Sequence, residues 1–121
     1  MCILIYNLIY YKMKRVVPVS KKNYNRAAIK LLNCFLGMSE YELTIIVGML
    51  DNNIKSLNTK TRTELVNTLK LNTMSFNNYI KKLKDKGALV GEKKSLEINP
   101  NIVSMIDDGE VNVIIKLNET D

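Results

Sequence analysis

Histidine and tryptophan are absent from this chain of 121 residues, and it holds only two cysteines, two prolines and five glycines. Without histidine there is no Ser-His-Asp or Cys-His nucleophilic arrangement and no zinc site of the finger type. Cys2 and Cys34 are too few, and too far apart, for the disulfide framework of a small secreted domain, which points to a reducing compartment. Cys34 is expected to be a buried small hydrophobe, since no histidine is available to activate it. The scarcity of glycine and proline excludes a collagenous or low-complexity chain. The expectation is a protein that is not an enzyme and carries no cofactor or metal. Asp107, Asp108 and Glu110 resemble a metal cluster only superficially and are expected to be a surface turn. What is present is ordinary: 46% hydrophobic and 25% charged residues, which suits one globular domain plus an arm.

Charge is the first positive signal. Eighteen basic residues against twelve acidic ones give a net +6. Residues 1–38 carry seven bases and no acid, and residues 39–71 balance at four and four. Residues 72–94 carry six lysines against Asp85 and Glu92, a local +4, whereas residues 95–121 have Lys116 against six acids, a local −5. A basic front and middle with an acidic tail predicts one face directed at a polyanion, with the acids held elsewhere.

Met1 to Tyr11 is almost wholly apolar and is followed by Lys12, Met13, Lys14 and Arg15. A membrane-spanning helix needs roughly 20 apolar residues, about twice this run, so no membrane span is expected. The run also lacks the basic lead and small-residue cleavage site of a signal peptide. Three readings stay open: an additional β-strand, an arm that binds a protein partner through residues 1–11, or an extension upstream of a native start at Met13. Its aromatic and β-branched content favours a strand.

The remainder divides at capping and turn signals. Ser20 to Gly37 has Tyr24, Ala28, Leu31, Leu32, Phe35 and Leu36 at helical spacing, with Gly37 placed as a C-cap. Tyr24, Leu31 and Phe35 either cover the domain's own core or form a dimer seam. Ser39-Glu40-Tyr41-Glu42 is a capping box that opens a second helix with Leu43, Ile46, Val47 and Leu50 as its stripe. Thr61-Arg62-Thr63-Glu64 is a second box, before Leu65, Val66 and Leu69. After a break at Lys70-Leu71, a fourth helix starts at Asn72, buries Phe76, Tyr79, Ile80 and Leu83, and stops at Gly87. Ala88–Val90 and Ser95–Ile98 are short strands around a Gly91-Glu92-Lys93-Lys94 turn, ended by Asn99-Pro100-Asn101. Asp107-Asp108-Gly109 is a turn, and residues 111–117 alternate as a half-buried strand.

Helix, helix, tight turn, helix and a two-stranded loop with lysines at its tip resembles a winged helix-turn-helix. The segment from Thr63 to Gly87 is similar to that of bacterial repressors of the multiple-antibiotic-resistance type. Leu83-Lys-Asp-Lys-Gly-Ala-Leu-Val90 followed by Leu96 to Ile102 looks like small plasmid replication initiators and small phage-encoded winged-helix proteins. The resemblance covers about residues 39–102 and implies an α+β fold of three to four helices with a two- to three-stranded antiparallel wing. It divides the chain into an apolar and basic N-terminal arm (1–19), the winged-helix domain (20–102) and an acidic C-terminal turn and strand (103–121). Two positions depart from the family pattern. Lys70 stands where the turn usually has Gly, which predicts a less tight turn, and the recognition helix lacks the arginine that most often reads guanine.

The resemblance places residues 72–86 in the major groove of double-stranded DNA. Asn77 and Asn78 are the candidate base readers, because Asn pairs with both N6 and N7 of adenine. Thr73 and Ser75 reach a base edge or phosphate, while Lys81, Lys82, Lys93 and Lys94 face phosphates. Met74 is a packing or partner residue. The abundance of asparagine, lysine and isoleucine (fifteen, fifteen and thirteen) reflects an AT-rich genome and equally suits a merely solvated face. Two functions compete. The first, preferred here, is a phage or plasmid transcriptional regulator or replication-associated factor, cytoplasmic (in the host cytoplasm if phage-encoded), with a homodimer as a candidate state. The second is a winged-helix protein-interaction or virion-structural module that does not read DNA sequence.

Overall fold

The computed structural model describes residues 17–112 and 117. They form an α+β domain of five helices and a three-stranded antiparallel sheet: α1 (Tyr24–Leu36), α2 (Glu40–Asp51), β1 (Ser56–Leu57), α3 (Thr59–Leu69), α4 (Thr73–Asp85), β2 (Leu89–Val90), β3 (Leu96–Ile98) and α5 (Pro100–Ile106). The strand order is β1-β3-β2, with Leu57 opposite Leu96 and Leu89 opposite Ile98. Leu96 and Ile98 are buried and Glu97 between them is exposed, the two-residue period of a half-buried strand. No described helix is long and apolar enough to cross a membrane. The apolar run at residues 1–11 lies outside the described residues, and so does most of the strand expected at 111–117.

Two elements differ from the expectation by addition. β1 is two residues long, too short for any alternation to be visible, and exists because Leu57 enters the core opposite Leu96. Asn99-Pro100-Asn101 does end β3, but it also starts α5. The Asn99 side chain accepts from the Asn101 N–H at 3.0 Å, and Pro100 occupies the first turn, where its missing N–H costs nothing. Ile102 and Ile106, four residues apart, then reach the core.

The helix starts were only partly legible. Ser39 caps α2 by accepting from the Glu42 N–H, but Glu42 does not turn back to complete the box. The second box is displaced: Asn58, not Thr61, is the N-cap of α3. Asn58 Oδ1 accepts from the Thr61 N–H at 2.9 Å, and the Thr61 hydroxyl accepts from the Asn58 N–H at 2.8 Å. Thr61 is thus the third residue of the helix. Asn72 caps α4 as expected, accepting from the N–H groups of Met74 (2.8 Å) and Ser75 (3.4 Å). Lys70 takes the left-handed conformation, φ 55°, and closes α3 through its N–H on Val66 O. The turn is therefore tight despite the missing glycine, and the lysine carries the strain.

The core runs through all five helices and the sheet. Ile29, Ile45, Ile46, Met49, Leu57, Leu65, Leu83, Ala88 and Leu89 are fully enclosed. Gly48 permits the contact of α2 with α3, since a Cβ there would meet Leu65 Cδ1 at 3.2 Å and both methyls of Leu69 at 3.3 Å. The Tyr24 hydroxyl donates to Ile106 O at 2.7 Å and ties α5 to α1. Partial burial, then the charges of Asp108, Glu110 and Asp107, push this phenol above the usual tyrosine range, which keeps it a donor. Cys34 is exposed, contrary to expectation, because it lies on the side of α1 away from Ile29 and Leu32. Leu31 and Phe35 are also exposed, at 44% and 65%, so neither covers the described core.

Glu42 is the one buried charged residue among those described, at 2% exposure. Lys86 Nζ donates to its Oε2 at 2.8 Å and Oε1 at 3.2 Å, and also to Gly37 O at 2.9 Å. One ammonium thus joins the end of α4 to the start of α2 and the end of α1. Lys86→Ala leaves the carboxylate enclosed without its cation. It is expected to cost about 2 to 3 kcal/mol, below the fully buried case because Lys86 is itself partly exposed. Replacing both residues with apolar ones recovers most of that loss, and Ser39→Ala costs only about 1 kcal/mol. Lys70→Gly is expected to gain about 1 kcal/mol by relieving the left-handed lysine. Denaturant midpoints read all four changes.

Candidate nucleic-acid interface

α4 is amphipathic by construction. Phe76, Ile80 and Leu83 recur every three or four residues and are buried, so the intervening positions are forced outward. Thr73, Met74, Ser75, Asn77, Asn78, Lys81, Lys82 and Asp85 are all exposed. Tyr79 occupies the shoulder between the two faces. It is half-buried rather than enclosed, and its ring stacks on Tyr41 of α2 with centroids 5.4 Å apart and planes 12° from parallel.

Among the described residues the only ion pairs are Arg26–Glu40 and Lys86–Glu42. Lys81, Lys82, Lys93 and Lys94 are exposed and pair with no carboxylate among the described residues. Lys86 is the exception within the basic stretch: its charge is spent internally on Glu42 and does not belong to an outward face. Asp85 lies among the outward lysines and locally weakens their field. Lys82 and Lys84 also sit in the last turn of α4, where positive charge complements the helix dipole.

Lys93 and Lys94 are in the turn between β2 and β3, which closes with the Ser95 N–H on Glu92 O at 2.9 Å. Gly91 begins this turn at φ 111°, and a Cβ there would come within 3.2 Å of Ser95 O. Both the backbone angle and the space require glycine. Arg62 Nη2 donates to Lys93 O at 2.8 Å, so a helix three elements earlier holds the turn in place. The structure thus gathers Thr73, Ser75, Asn77, Asn78, Lys81 and Lys82 on one helix and ties Lys93 to α3.

Arg62 and Tyr41 were not singled out from the sequence. Arg62 meets its partner across 31 residues, a separation that no local pattern reports. Tyr41 read as a filler position inside a capping box, and its role depends on where α4 docks. Arg62→Ala is expected to free the β2–β3 turn. Hydrogen exchange at the Ser95 amide accelerates several-fold, while amides in the centre of α4 are unchanged.

Comparison with family models, with curated proteins and with solved structures gave no match to this chain.

Proposed function

We propose that this chain is a non-enzymatic winged helix-turn-helix protein that binds double-stranded DNA and serves a phage or plasmid as a regulator or replication-associated factor. The observation that carries this reading is the exposed outward face of α4, set behind a tight turn after α3 and bearing two asparagines and two lysines that pair with no carboxylate among the described residues. The element order from α2 to β3, with β1 beside β3, supports it, because this order suits a helix-turn-helix backed by a small wing. In this reading α4 enters the major groove, and Asn77 and Asn78 address adenine edges. Thr73 and Ser75 at its first turn lie nearest the groove floor or phosphate. Lys81 and Lys82, with Lys93 and Lys94 on the wing, neutralise phosphates, and Arg62 holds the wing for them. A homodimer would place two such helices about one DNA turn, roughly 34 Å, apart. The site of action is then the cytoplasm of the host cell.

Met74 favours a second reading. It is 78% exposed in the middle of the outward face, where an apolar side chain suits a protein partner better than phosphate. A winged helix can serve as a docking module, since fold does not fix function.

Anisotropy titrations of a mixed-sequence duplex over a salt series separate the two. For DNA binding, affinity falls steeply with salt. Changing Lys81, Lys82, Lys93 and Lys94 to Ala makes the log–log slope shallower by about 3 to 4, one counterion-release increment per lost phosphate contact. Changing Asn77 and Asn78 to Ala leaves that slope unchanged, because neither carries charge. Absence of salt-dependent binding in dilute buffer assigns the outward face of α4 to a protein partner instead.

A further inference from the structure

With 3.6 residues to the turn, Met74, Asn78, Lys81 and Asp85 fall in one row along α4. That row is opposite the buried stripe of Phe76, Ile80 and Leu83, and all four of its members are exposed. Its chemistry changes along the helix, from a thioether in the first turn to an amide, then a cation, then a carboxylate. Met74 is 78% exposed, more than any other large apolar side chain in the described helices.

A protein partner that buries apolar surface needs a contiguous patch, and Met74 has none around it on α4, where no other large apolar side chain is exposed. Tyr79, with Tyr41 stacked on it, lies about 140° round the helix from Met74. A lone apolar side chain among amides and cations suits a lone apolar group on a polar, anionic ligand. The C5-methyl of thymine is such a group, and it projects into the major groove beside the O4 acceptor. Across the same pair, adenine presents N6 and N7, the two atoms with which asparagine pairs. Met74 and Asn78, four residues apart, have Cβ atoms about 5 to 6 Å from each other, so one addresses the methyl while the other addresses the same or the next adenine. Charge sets the direction of entry. The first turn of α4 holds no acid, whereas Asp85 at its last residue is repelled by phosphate. Met74 is therefore at the end that approaches the base edges, as the first residues of a recognition helix do.

Resting on the DNA-binding reading above, we infer that Met74 is a specificity-determining residue that packs against a thymine methyl group and, with Asn78, directs α4 to A·T pairs. An unbranched, polarizable side chain follows a methyl group whose position shifts from one base step to the next.

The test uses the full chain and two duplexes of A·T pairs in the same mixed order, one with thymine and one with uracil throughout. Uracil keeps the charge and the hydrogen-bonding edge and lacks only the methyl. The wild-type protein is expected to bind the thymine duplex about fourfold more tightly, the effect of one buried methyl group, with equal salt slopes on the two duplexes. Met74→Ala binds both duplexes alike, and Met74→Leu restores the preference for thymine. Both variants keep the parent's denaturant midpoint, because the side chain is outside the core. Steep salt dependence without a thymine preference in the wild type overturns the inference and leaves the DNA-binding reading standing. A thymine preference undiminished in Met74→Ala also overturns it, and assigns the discrimination to the Thr73 methyl or to duplex shape. Absence of salt-dependent binding to either duplex overturns both and assigns Met74 to a protein partner.

Discussion

The carboxylate of Glu42, enclosed at the start of α2, has a single cationic partner among the described residues, the ammonium of Lys86. Leaving a carboxylate in a dry interior without a cation costs several kcal/mol, so docking that separates these two residues is penalised far beyond a lost surface contact. Lys86 lies one residue past α4, and its ammonium also holds Gly37 O at the end of α1. The position of α4 along α2 is thus pinned at one end by charge. Tyr41 against Tyr79 adds a second contact between the same two helices.

That anchoring decides which residues of α4 are left for anything else. With Phe76, Ile80 and Leu83 turned into the core and Lys86 committed to Glu42, the outward surface is Thr73, Met74, Ser75, Asn77, Asn78, Lys81, Lys82, Lys84 and Asp85. The β2–β3 turn is held separately, by Gly91 in a conformation open to glycine and by Arg62 from α3. In the proposed DNA-binding reading, rigid support of both pieces matters, because phosphate contacts fix orientation only when the groups that make them are themselves fixed.

The sequence reading succeeded where one short stretch carries the whole signal. Asn72 with Phe76, Ile80 and Leu83 defines α4 by a cap and a helical period, and Gly37 ends α1 by its backbone freedom. It failed where two local patterns were equally good. Thr61 followed by Glu64 satisfies the capping-box grammar as well as Asn58 followed by Thr61, and only the pairing of Ser56 and Leu57 with β3 moves the helix start back. Glu42 illustrates the same limit. Its spacing from Ser39 suits a reciprocal cap, yet a partly exposed cation 44 residues away competes for the same oxygens and wins. Cys34 was misplaced because a small apolar residue in a helix has no polarity to mark its side.

By itself the sequence determined the helices from Tyr24 to Asp85, the turn after β2 and the basic character of residues 72–94, because caps, periodicity and charge are properties of neighbouring residues. Only the tertiary structure decided that Lys86 is committed to the buried Glu42, that Arg62 holds the β2–β3 turn, that β1 and α5 exist, and that Leu31 and Phe35 of α1 are left exposed. Each of these depends on contacts between distant segments, whose energies come from burial and pairing that no local window contains.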